Sequence, residues 1–132
     1  MDANELRIWN WVLNGGNKPV QCSSERICDI DNKILIASPI PLSPEILEKA
    51  GFKKYDWQDA YFTGTIFGHL YIHFYKERII TRFANVLKDE VGHKMISLGF
   101  VGKQTSSDNI IYLHQLQNLY FALTGEELNI NL

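Results

Sequence analysis

His69 and His73 lie four residues apart, a spacing at which two histidines on a helix can share one zinc ion. Their neighbours Tyr71, Ile72, Phe74 and Tyr75 favour a strand instead. On a strand, four residues span roughly 13 Å, too far for a single ion. The expected state of both rings is therefore solvent-facing or hydrogen-bonded, with no metal. Cys22 and Cys28 form no second short-spaced pair that would complete a zinc site, and neither lies in a recognised nucleophile motif. The carboxylate pairs Asp29/Asp31 and Asp56/Asp59 resemble those of acid–base enzymes, but Asn32 and Gln58 beside them suit turns. Gly15-Gly16 lacks the Lys-Ser/Thr and the following helix of a phosphate loop. No catalytic residue, metal ligand or cofactor site is expected.

Binding chemistry has better candidates. Trp9 and Trp11 fall on one face if residues 5–13 form a strand, and two indoles there would make a platform for bases, sugars or peptide. The alternative is that both fill the core or cover a hydrophobic edge. At the other end of the chain, residues 110–124 contain no Asp, Glu, Lys or Arg. The helical spacing of Leu116, Leu119, Tyr120 and Leu123 makes one apolar stripe, and His114, Gln117, Asn118 and Phe121 occupy the opposite face. A solvent-facing helix normally carries Glu and Lys on such a face, so this one is expected either to be buried on both sides or to form a protein interface. Trp9, Trp11, His114, Gln117, Asn118 and Phe121 are the candidate interaction residues.

These residues need elements to hold them. β-rich alternation predicts a strand over 5–13, a turn at 14–17, and short strands at 19–23, 26–30 and 33–38, together a curled sheet or partial barrel of SH3-like kind. Ser43, Pro44 and Glu45 open a short helix that Gly51 ends. Strands return from 64 to 84, with Leu70, Ile72 and Phe74 on one face and His69, Tyr71, His73 and Tyr75 on the other, broken by a turn near Lys76-Glu77. Residues 85–93 read as loop or short helix, 95–101 and 109–113 as strands, and 104–108 as a polar loop. A last helix covers 114–124 and stops at Gly125.

At 132 residues with 45% hydrophobic content, the chain fits a single domain whose core needs no disulfide or metal. Its formal charge of −2 gives little attraction for phosphates, and the six basic against three acidic side chains of residues 67–107 are a weak local excess. The first residues have neither the basic nor the apolar region of a signal peptide, and no apolar run reaches the length of a membrane span. A cytoplasmic protein with reduced thiols and no membrane partner is expected.

Three blocks, Glu-Leu-Arg-Ile-Trp-Asn-Trp-Val at 5–12, Pro-Ile-Pro-Leu-Ser-Pro-Glu-Ile-Leu-Glu-Lys-Ala-Gly-Phe at 39–52, and Tyr-Leu-His-Gln-Leu-Gln-Asn-Leu-Tyr-Phe-Ala-Leu-Thr-Gly-Glu-Glu-Leu at 112–128, cover 39 of the residues. In this order they resemble a group of small uncharacterised proteins of gut anaerobes, their prophages and mobile elements. The resemblance implies no activity and no functional residue. Where this chain has Trp9, the group's opening strand usually has glycine, and a bulky residue there argues against a ligand cradle at that point.

The expected fold is a single α+β domain over 1–132: antiparallel sheets, the first a small barrel of SH3-like kind, with a short central helix and a C-terminal helix. The leading functional expectation is a non-catalytic protein-interaction or adaptor module, binding a protein partner or a second copy of itself. A nucleic-acid-binding accessory protein of a prophage or mobile element, using Trp9, Trp11 and the basic region, ranks second. A small enzyme using a histidine ranks third.

Overall fold

The computed structural model describes residues 1–54, 60–65, 68–75, 78–89, 92–100 and 110–132. The described chain falls into two compact units, Met1–Ile46 with Ile111–Leu132, and Leu47–Ile110.

The first unit opens with a 3-10 turn (Ala3–Glu5), where Asp2 Oδ1 accepts from Asn4 N at 3.0 Å. β1 (Trp11–Asn14) follows, then β2 (Pro19–Gln21) and β3 (Ala37–Ser38), in the antiparallel order β2-β1-β3. The β1–β2 turn closes on Asn14, whose Oδ1 accepts from Gly16 N and Lys18 N at 2.9 and 3.0 Å, with Asn17 at φ +59°. α1 (Ser24–Asp31) lies between β2 and β3. Residues 39–42 run on to meet the start of the last helix, α3 (Leu113–Thr124): Leu42 N donates to Ile111 O, and Leu113 N to Ile40 O. Leu6, Val12 and Cys22 form a buried cluster against which Val20, Ile27, Ile30 and Ala37 pack.

α2 (Pro44–Lys49) matches the helix expected at 43–50. Ser43 Oγ accepts from Ile46 N at 3.3 Å, and Gly51, at φ +82°, turns the chain so that Phe52 N reaches Leu47 O.

The second unit is an antiparallel meander, β4 (Lys53–Lys54), β5 (Ala60–Thr65), β6 (Gly68–Tyr75), β7 (Arg78–Asp89) and β8 (Gly92–Phe100), each strand paired with the next. The expected alternation holds along β6. Leu70 and Ile72 are fully buried, joined by Tyr61 and Thr81. Phe62, His69, Tyr71 and His73 make a row of rings on the other face, with neighbouring centroids 5.7–6.3 Å apart.

Several expectations are corrected. The first sheet is no SH3-like barrel. It has three strands of two to four residues, and no pairing joins β2 to β3, or β4 to β8 in the second sheet, among the described residues. Residues 26–30 are not a strand but the middle of α1. Ser23 caps the helix through Oγ, accepting from Arg26 N at 3.1 Å, and Glu25 sits in the positive first turn. Ile27 and Ile30, three apart, share one side of a helix and so both reach the core cluster; on a strand they would point oppositely. Most of 33–38 is the exit from that helix, with Ile34 N and Leu35 N both donating to Asp29 O. Residues 5–10 leave the strand because Trp9 has φ +78°. Residues 85–93, expected as loop or helix, are mostly the continuing β7–β8 pair, in which Asn85 pairs with Ile96 and Asp89 with Gly92. The turn at 76–77, the loop at 104–108 and Asp56/Asp59 lie outside the described residues. Among the described residues, no helix is long and apolar enough to cross a membrane.

Candidate functional site

The uncharged face of α3 is bound to the chain's own N-terminal segment, within the first unit. α3 starts where Gln115 Oε1 accepts from Ile111 N and Tyr112 N at 2.9 and 3.1 Å, and it ends at Gly125, φ +73°, whose N–H donates to Phe121 O. Leu113 and Leu116 are fully buried. Gln117, one turn after Leu113 and buried as well, acts as a strand's backbone would. Its Oε1 accepts from Trp11 N at 2.8 Å and its Nε2 donates to Trp9 O at 3.2 Å. Asn118 completes the grip: its Nδ2 donates to Glu5 O at 2.8 Å, and its Oδ1 accepts from Arg7 Nε and Asn10 Nδ2 at 2.8 and 2.9 Å. The buried Gln117 amide, satisfied at both ends, fixes one geometry, because a group left unpaired there would be costly.

Arg7 locks the far end. Its guanidinium lies 4.3 Å from the Phe121 ring centroid and pairs with Glu127 at 2.7 Å. This accounts for Phe121, which is 40% exposed yet already carries a cation on its face. His114, its side chain 1% exposed, reaches Glu5 Oε2 through Nε2 at 3.4 Å and stacks on Tyr112. His114 Nδ1 has no hydrogen-bond partner among the described residues, so the neutral ring with its proton on Nε2 suits the site. Burial pushes the His114 pKa below the usual 6.5, against the opposing hydrogen bond and charge of Glu5.

The two tryptophans separate. Trp11 is half-buried in β1, opposite Gln21. Trp9 is 57% exposed, beside Ile8 at 46%. Its left-handed backbone, a conformation that costs an L-residue roughly 1–2 kcal/mol, is pinned on both sides: Trp9 N donates to Cys22 O at 2.8 Å, and Trp9 O accepts from Gln117 and from Gln21 Nε2 at 3.3 Å. A second apolar group in this unit, Ile34, Leu35 and Ile36, stands out after α1, with the two isoleucines 69% and 77% exposed.

Of the six candidate residues, the structure joins Gln117 to the backbone of Trp9 and Trp11, and Asn118 to the Glu5 carbonyl and the side chains of Arg7 and Asn10, and it sets His114 and Phe121 against Glu5 and Arg7. Glu5, Arg7, Asn10 and Glu127 belong to the same network and were not anticipated. Their partners lie more than a hundred residues away, and only the absence of charge on α3 hinted that something covers it. Elsewhere, His69 Nδ1 lies 3.3 Å from Tyr71 Oη, and no group of three or more His, Cys, Asp or Glu able to hold a metal ion occurs among the described residues. Cys22 and Cys28 are free, and burial raises the Cys22 thiol pKa above its usual value.

Comparison with protein-family models, curated proteins and solved structures finds no match.

Proposed function

We propose that the protein is a non-catalytic interaction module whose first unit presents Ile8 and Trp9 to a protein partner. The observation that carries this reading is Trp9: a large indole, more than half exposed, on a left-handed backbone that hydrogen bonds hold at both its N–H and its C=O. Backbone strain of this kind persists where the surroundings over-determine it, and such positions cluster at functional sites. A tryptophan on a rigid mount loses little entropy on binding, which is why indoles dominate interface energetics. The partner it fits has an apolar pocket wide enough for an indole, and the exposed Ile34–Ile36 group offers further contact area. Free, exposed Cys28 suits a reducing, cytoplasmic setting.

The test is cross-linking from a photoreactive side chain at position 9, with position 25 as control, followed by titration of the purified captured protein. Trp9→Gly is the decisive variant, because glycine takes φ +78° without strain and should leave the fold at least as stable. It should weaken binding by roughly 30-fold or more, as loss of a tryptophan anchor does. Equal affinity of Trp9→Gly and wild type would overturn the proposal, as would capture of the same set of proteins from positions 9 and 25.

A further inference from the structure

We propose that the His114–Glu5 contact is an acid-sensitive clasp, and that mild acid releases the N-terminal segment bearing Ile8 and Trp9 from α3. The inference adds regulation to the surface proposed above, and depends on that reading only for its biological meaning; the release itself is a property of the free protein.

The geometry is that of a buried imidazole with room for one proton. Nε2 faces Glu5 at 3.4 Å, and the ring lies flat against Tyr112, tilted by 10°. Nδ1 is enclosed with no partner among the described residues. A second proton would go to Nδ1 and create a buried N–H with nothing to accept it, on a ring that has become charged away from water. Two charged groups act on the ring besides its own helix: Glu5 of the 3-10 turn, which favours the cation, and the Met1 ammonium, which opposes it. Burial outweighs the help from Glu5, so the closed form holds its proton less tightly than an exposed histidine does.

The sign of the pH effect follows by linkage. A histidine whose pKa is lowered on closing binds more protons when open. Closure is therefore at full strength above about pH 6.5 and weakens as pH falls through 6.5 towards the lower closed-state value. What opens is also defined. Glu5 is gripped twice, by His114 at its carboxylate and by Asn118 at its carbonyl. The next turns of the segment hang on the same helix through Arg7, Asn10, Trp9 and Trp11. Loosening the first grip strips support from a residue already held in a strained conformation.

The experiment is amide hydrogen exchange by NMR on the whole chain at pH 7.5 and 5.5, corrected for intrinsic rates. The Trp11 amide, which donates to Gln117, reports on the clasp, and the Ile72 amide in β6 is the control. Protection of Trp11 is expected to fall at least about five-fold at the lower pH while Ile72 holds, and His114→Gln should abolish that difference. The His114 ring signal of the wild type supplies a reading that needs no variant. It should titrate below 6.5, with signals of residues 5–11 moving at the same midpoint. A midpoint at or above 6.5, no shared midpoint, or an undiminished pH effect in His114→Gln would each overturn the clasp. Loss of partner binding in Trp9→Gly without acid release, or release without such a loss, separates failure of this inference from failure of the interaction surface.

Discussion

In the first unit no strand exceeds four residues, whereas β7 of the second runs for twelve. The second unit is held chiefly by backbone ladders between successive strands, so its register follows from pairing between neighbours in sequence and from the alternating apolar face of β6. The first has little ladder. It substitutes side chains for strands: Gln117 and Asn118 supply to residues 5–11 the donors and acceptors that a neighbouring strand would offer. A ladder tolerates most side-chain changes because its bonds are main-chain. A fold stitched by two amides does not.

The contrast can be broken at three points. The largest effect is expected from Leu116→Ala, which empties a fully buried site under α3 and should cost roughly 2–5 kcal/mol in denaturant titration. A loss below about 1 kcal/mol would mean that the helix is not core. Next comes Gln117→Leu, nearly equal in volume but unable to bond. It should cost about 2 kcal/mol, because the Trp11 N–H keeps its position and loses its acceptor. A neutral result would show that the stitching carries no energy. The smallest change is expected in the second unit. Thr81 is buried and its Oγ1 has no partner among the described residues, so Thr81→Val should be neutral or stabilise by up to about 1 kcal/mol. Clear destabilisation there would mean that polar side chains matter to the ladder as well.

What could be read in advance divides along the same line. The α2 and α3 boundaries were legible because Ser43, Gly51 and Gly125 are local signals whose cause is backbone geometry. The two faces of β6 were legible from alternation alone. α1 was not, because Ile27, Cys28 and Ile30 look β-rich residue by residue, and only the Ser23 cap and the helical side that Ile27 and Ile30 share favour a helix. At Trp9 nothing local announces a positive φ; the hydrogen bonds that impose it come from Cys22, Gln21 and Gln117. The candidate site behaved likewise. The uncharged face of α3 was visible as an anomaly, but the backbone groups that occupy it belong to the opposite end of the chain.

That the first unit is built from Met1–Ile46 and Ile111–Leu132 has a consequence for the order of folding. The bonds from α3 to the N-terminal segment close loops of 106 to 120 residues, which in a flexible chain costs about 3 kcal/mol more than closing a hairpin. The meander needs only neighbouring strands and is complete in sequence before α3 is synthesised. Leu42 and Ile111, on either side of the intervening stretch, are themselves hydrogen-bonded at 2.9 Å, so the chain leaves the first unit and re-enters it at one place. Folding of the insert takes much of the flexible chain out of that loop, which lowers the entropy cost at which the two terminal segments meet. The segment carrying Trp9 is thus made before the insert and is expected to be set in place after it.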